Sequence, residues 1–205
     1  FYILDDYTPL RTVKPETLQQ ESALFAVKDA LLYIQGRPLG GGGKASQGEA
    51  LYLAENAPFG ATFTYYLKEE LKTKKKLRQE AEKEAEKKKT QAPYPTFDQL
   101  REETDEPAPA IMLTIQDESG RVVRRLNGAN SAGMNRVTWN LRSPGTVLSP
   151  AAPEEGDDDD GGPDGPLVLP GTYKVSLAKR VSDVWSQLAG PQTFTVKALG
   201  VESMA

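Results

Sequence analysis

The sequence predicts a mainly β chain: an antiparallel β-sandwich with one inserted charged α-helix and an extended N-terminal segment. Three observations lead there. Outside two charge-biased stretches the apolar residues alternate with polar ones at a period of two. Tight-turn residues separate the alternating runs. The chain has 205 residues, 38% of them hydrophobic, enough for one sizeable core.

The N-terminal third is the least regular. Phe1-Tyr-Ile-Leu4 is a short apolar run followed by Asp5 and Asp6. Pro15 to Gln20 can open a helix, with Thr12 as a distant cap. From Ser22 to Ile34 apolar residues fall at both helical and extended spacings, and the choice stays open. Gly40–Gly43 is a flexible break.

Phe63, Tyr65 and Leu67 then alternate with Thr62, Thr64 and Tyr66 as a half-buried strand. Lys68 to Thr90 carries a net charge of +4, has no Gly or Pro, and places Glu70/Lys74 and Glu84/Lys88 at i,i+4. This predicts a helical insertion over about 69–92 with a thin apolar face, Leu77, Ala81 and Ala85. Such a helix sits mostly in water or docks by one edge. Glu102, Glu103 and Asp105 follow in what reads as a Pro-bounded linker.

Ile111, Leu113 and Ile115 mark the next strand, Asp117-Glu-Ser-Gly120 its turn, and Arg121–Leu126 the returning strand. Gly128–Gly133 is a loop, and Val137, Trp139 and Leu141 lie on one face of the strand after it. Pro170-Gly171 supplies a type II turn before Tyr173, Val175 and Leu177. Phe194 and Val196 mark the last strand. Between these, about 143–169 is a Pro- and Gly-rich insertion too long for a simple connection, with four consecutive acids at Asp157–Asp160 beside Glu154 and Glu155.

The absences limit function. There is no His and no Cys, which removes Ser-His-Asp and Cys-His catalysis, imidazole zinc sites, disulfides and thiolate chemistry. No apolar run reaches the length of a membrane span. A net charge of −4 argues mildly against general nucleic-acid binding. Gly40-Gly-Gly-Gly-Lys-Ala-Ser46 misses the phosphate-loop pattern at Pro38 and Ala45. Adjacent Asp5 and Asp6 point to opposite faces of a strand and cannot flank one bond. Asp157, Asp158, Asp159 and Asp160 are weak calcium candidates, since their spacing matches no calcium loop. Trp139 belongs to a core face. Trp185, in a Ser/Asp/Gln-rich context, is the one candidate binding residue, and no catalytic or cofactor residue is assigned.

Two groups of motifs carry a resemblance. The run from Leu113 through Gly145, with Asp117, Gly120, Val122, Val123, Leu126, Gly133, Trp139 and Asn140, followed by Pro170-Gly171-Thr172-Tyr173, is similar to an Ig-like domain of the flagellar hook-capping type. Phe1-Tyr-Ile-Leu-Asp-Asp-Tyr-Thr-Pro-Leu-Arg11 and Asn56-Ala-Pro-Phe-Gly-Ala61 resemble the C-terminal region of bacterial proteins with sortilin-like or BNR-type β-propellers, often labelled glycosyl hydrolases.

The resemblance implies the following division. Residues 1–12 are the closing strand of a β-propeller not contained in this chain, 13–60 a connector, 61–199 the Ig-like sandwich with its two insertions, and 200–205 a tail. It implies a fragment of an exported parent, extracellular or periplasmic, in which this segment is a non-catalytic accessory domain supporting the propeller. Two alternatives stand beside it: a carbohydrate- or protein-binding module, and part of a glycoside hydrolase whose active site lies in the propeller. The expected partner is the parent's own propeller, with protein or glycan as a further possibility. No cofactor, nucleic acid or membrane span is expected.

Overall fold

The alternating runs form two sheets that share one apolar core. The computed structural model describes residues 6–35, 57–90, 94–145 and 164–199. Its strands are β1 (Ser22–Leu24), β2 (Ala30–Leu32), β3 (Ala61–Leu67), β4 (Ala110–Asp117), β5 (Val122–Gly128), β6 (Gly133–Trp139), β7 (Arg142–Pro144), β8 (Asp164–Leu167), β9 (Gly171–Val181) and β10 (Val184–Ala198). One sheet has the order β1-β3-β6 and is antiparallel. The other has the order β2-β10-β9-β4-β5. It is mixed, because β2 runs parallel to β10. β7 and β8 make a separate two-stranded ribbon.

Alternation places the core as predicted. Phe63, Tyr65 and Trp139 from the first sheet are fully buried, as are Ile111, Leu113, Ile115, Val175 and Leu177 from the second. The rings meet edge to face across the two sheets: Phe63 and Phe194 at 5.4 Å, Trp139 and Tyr173 at 5.6 Å. Each such side chain contributes about 1.5–3 kcal/mol on burial. Burial raises the pKa of the Tyr65 phenol, whose hydroxyl donates to the Ala129 carbonyl at 2.6 Å.

Two glycines are required by geometry. Gly60 has φ +121°, and a Cβ there would stand 1.8 Å from the Trp139 carbonyl oxygen. Gly120 has φ +84° and closes the β4–β5 hairpin, its N–H on the Asp117 carbonyl at 3.0 Å.

The N-terminal part differs from expectation. Thr8–Arg11 is one helical turn, α1, not extended, because Pro9 sits in the first turn and the Asp6 carboxylate receives the Thr8 N–H at 2.9 Å. Residues 1–5, with Phe1–Leu4 and Asp5, lie outside the described residues. α2 spans Pro15–Gln19 with Lys14 as its N-cap, while Thr12 bonds back to the Pro9 carbonyl. The undecided stretch is extended: β1 joins one sheet, β2 the other, and Phe25 between them is buried, its N–H on the Thr64 carbonyl at 3.1 Å. Part of the expected connector is therefore woven into both sheets.

Three further details depart from the sequence reading. The charged helix, α3, is shorter than expected, Lys74–Lys87, capped by the Thr73 hydroxyl, with Lys89 in the left-handed region beyond its end. The supposed linker after it contains a second helix, α4 (Phe97–Asp105), closed by a capping box between Thr96 and Gln99. Gly171 does not take the positive φ of a type II turn; it opens β9 and pairs with Val196.

Candidate functional site

The site begins with the long hairpin of β9 and β10. Ser182 and Asp183 both have positive φ, 48° and 65°, so the connection is a two-residue turn of type I′. The Ser182 hydroxyl meets the Glu106 carboxylate at 2.9 Å and so ties the turn to the end of α4. Trp185 follows on β10, opposite Arg180 of β9. Its side is fixed by the register: Tyr173, Val175 and Leu177 face the core, so Lys174, Ser176, Ala178 and Arg180 face outward. Trp185 is 44% exposed, and the Arg180 guanidinium lies 5.5 Å from its ring centroid. Arg180 also donates to the Ala108 carbonyl at 3.2 Å, while its Nε is buried without a partner. Trp185 is thus a half-exposed aromatic held from one side by a fixed cation.

Half of the ten basic side chains of the charged insertion are paired with acids, while Lys75, Lys83 and Lys87 are exposed and have no ion-pair partner among the described residues. Lys74 meets Glu102 at 2.9 Å, and Arg78 meets Glu103 at 2.7 Å and Glu82 at 2.6 Å. Lys72 meets Glu80 and Lys76 meets Glu70 in the same way. Glu84/Lys88 is the i,i+4 pair of the sequence reading that forms, at 3.7 Å; Glu70 and Lys74 take other partners. α4 thus supplies acids to the basic helix. The hydrogen bond from Arg78 holds the Glu103 carboxyl below its ordinary pKa. A carboxylate tuned that way stays ionised and is a poor general acid. Lys74 in turn is raised by its hydrogen bond to Glu102.

A groove of about 890 Å³ opens beside the start of α3, with Leu67, Leu71, Leu77 and Leu188 on its apolar side and Lys68, Lys72 and Lys179 at its rim. It contains neither Trp185 nor the acids of α4.

Arg124 is a functional-looking residue that the sequence reading passed over. It sits on the inner side of β5, 3% exposed. It donates to the Ser143 carbonyl at 3.2 Å and lies 3.6 Å from Asp164, so it clamps the β7–β8 ribbon. Its place in an alternating strand, Val-Val-Arg-Arg-Leu, was the available signal: one of two adjacent arginines must point inward.

Asp157, Asp158, Asp159 and Asp160, with Glu154 and Glu155, lie outside the described residues, as does the Gly40–Gly43 run. Among the described residues no group of three or more carboxylates is placed to hold a metal. Among them, too, no helix is long and apolar enough to cross a membrane. Comparison with protein-family models, curated proteins and solved structures finds no match.

Proposed function

We propose that this chain is a non-catalytic accessory module, an Ig-like β-sandwich that packs on and braces a β-propeller of a larger exported protein. Strand order supports the Ig-like reading. Lettered in Ig fashion, the smaller sheet is A-B-E and the larger A′-G-F-C-C′, with the first strand split between the two. Tyr173 at the start of the F-type strand donates its hydroxyl to the Leu169 carbonyl, four residues upstream, at 2.7 Å. That is the geometry of a tyrosine corner. The Trp departs from the antibody pattern, since Trp139 is on the E-type strand and there is no disulfide.

The observation that carries the bracing role is the double attachment of β1 and β2. Tension or tilt applied through the N-terminal segment enters both sheets at once, so the sandwich resists as one body. The test is a parent chain containing the adjoining domain, compared with the same chain lacking the whole sandwich, 22–199. Bracing predicts a lower unfolding temperature for the adjoining domain without the module. An unchanged temperature, or turnover of glycosides or peptides by the isolated 205-residue chain at enzymatic rates, overturns it.

A second reading, a ligand-binding module, is favoured by one observation, the half-exposed Trp185 propped by Arg180.

A further inference from the structure

The outer face of the five-stranded sheet sorts its charges by sign. The chain as a whole is −4. Yet each charged side chain that β4, β5, β9 and β10 direct outward is basic: Arg125, Lys174, Arg180 and Lys197. Lys197 is neutralised by Asp29 at 2.6 Å, and Arg180 is committed to Trp185 and Ala108. Arg125 and Lys174 are exposed and, among the described residues, have no ion-pair partner.

The rest of the face is built from short polar groups. Thr114 lies between Arg125 and Ser176 in one cross-strand row, and Gln116 and Thr193 flank Lys174 in the next. Asn127, Met112, Ala178 and Gln187 form a third row, leading to Trp185. From Lys174 to Arg180 the strand covers roughly 20 Å, and Arg125 stands roughly 10 Å to the side of β9.

We propose that this face binds an acidic polysaccharide, specifically a polymer of carboxylated sugars. The inference deepens the ligand-binding reading and stands apart from the bracing role. Charge complementarity selects a polyanion, and the Arg125 fork matches a planar carboxylate in two-point fashion. Trp185 offers one free ring face, the other being faced by Arg180, which suits the apolar side of one sugar ring. Hydroxyl and amide side chains between them suit sugar hydroxyls. A single-stranded nucleic acid is a worse fit, because its sites use several stacking aromatics, whereas this face has one.

The test titrates the 205-residue chain at low salt with polygalacturonate, a sulfated glycosaminoglycan, neutral dextran and oligothymidylate. Polygalacturonate is expected to bind best, with affinity falling as salt rises. Arg125→Gln with Lys174→Gln is expected to weaken it about tenfold, the scale of two solvent-exposed charge contacts. Trp185→Ala is expected to weaken it about tenfold or more. All three positions are solvent-facing, and an unchanged unfolding temperature verifies that the variants fold. Preference for the sulfated glycan or the oligonucleotide, or uronate binding indifferent to the double variant, overturns the proposal. Binding of dextran alone, lost with Trp185→Ala, overturns the uronate assignment and leaves the binding-module reading standing. Binding of nothing in the panel overturns both.

Discussion

Leu141 sets two opposing terms against each other at one residue. It lies two residues past the end of β6, is fully buried, and has φ +57°. Its carbonyl accepts the Val168 N–H at 2.8 Å, and the Trp139 indole donates to the next carbonyl, Arg142, at 2.9 Å, so the corner is fixed from both sides. A left-handed backbone costs a bulky L-residue about 1–2 kcal/mol. Leu141→Ala removes the buried side chain, about 2–5 kcal/mol, and keeps that strain. Leu141→Gly removes the same side chain and releases the strain, but makes the unfolded chain more flexible by about 0.5–1 kcal/mol. The two variants should therefore have equal stability, or the glycine should be better by up to about 1.5 kcal/mol. At an ordinary buried position the glycine is worse by about 0.5–1 kcal/mol. At roughly 2–4 °C per kcal/mol for a chain of this size, Leu141→Ala should lower Tm by about 4–20 °C, with Leu141→Gly at or above it. Urea denaturation of the pair decides the sign. A glycine variant less stable than the alanine variant by about 1 kcal/mol or more refutes the claim that this corner stores strain.

The other predictions concern the turns and the helix pair. Gly60→Ala should cost about 3 kcal/mol or more, since its Cβ would overlap the Trp139 carbonyl; a loss below about 1 kcal/mol in urea would show that the close approach is absent. Asp183→Gly should stabilise the β9–β10 turn by a few tenths to about 1 kcal/mol, and a lowered Tm would contradict the type I′ geometry. The Glu103 pKa is depressed by Arg78, so the contribution of that pair is complete above the ordinary glutamate value of ~4.3 and is lost as pH falls through the lower folded value. The Arg78 side-chain N–H resonance should move in that acid range while the sheet amides stay put. A resonance unmoved down to about pH 2 removes the Arg78–Glu103 pair as one of the links between α3 and α4.

The longer strands were legible where apolar residues alternate at a period of two, and most of their buried apolar residues are those the pattern names; the buried Thr64, Arg124 and Asn135, and the Val184–Gln192 half of β10, carried no such signal. β1, β2, β7 and β8 have three or four residues each, too few for a period to register. The parallel pairing of β2 with β10 is decided by the sheet it joins and has no local signature. Gly190-Pro191 reads as a turn, yet β10 runs through it and absorbs it as irregularities in register between Gln187 and Gln192. α4 had a readable start, Thr96-Phe-Asp-Gln99, which is a capping box, but the prolines on either side of Glu102, Glu103 and Asp105 make the stretch read as a linker. The candidate site was legible only as Trp185. Arg125 and Lys174 are far apart in sequence and become neighbours only when β4 is placed between β5 and β9.

The two proposed roles use opposite sides of the molecule, so both can be met. The N-terminal segment lies along the outer side of the smaller sheet: Arg136 of β6 donates to the Asp6 carbonyl, and Tyr66 of β3 donates to the Leu18 carbonyl at 3.2 Å. An adjoining domain reached through that segment is met from this side. The unpaired Arg125 stands on β5, on the outer face of the other sheet. Bracing from the smaller sheet therefore leaves the cationic face open. This separation makes a specific claim about coupling. In a parent chain with its neighbour present, saturating polygalacturonate should leave the neighbour's unfolding temperature unchanged while raising that of the sandwich. A matched rise in both would mean that the ligand contacts the two domains together, and the division of labour between the two sheets would be wrong.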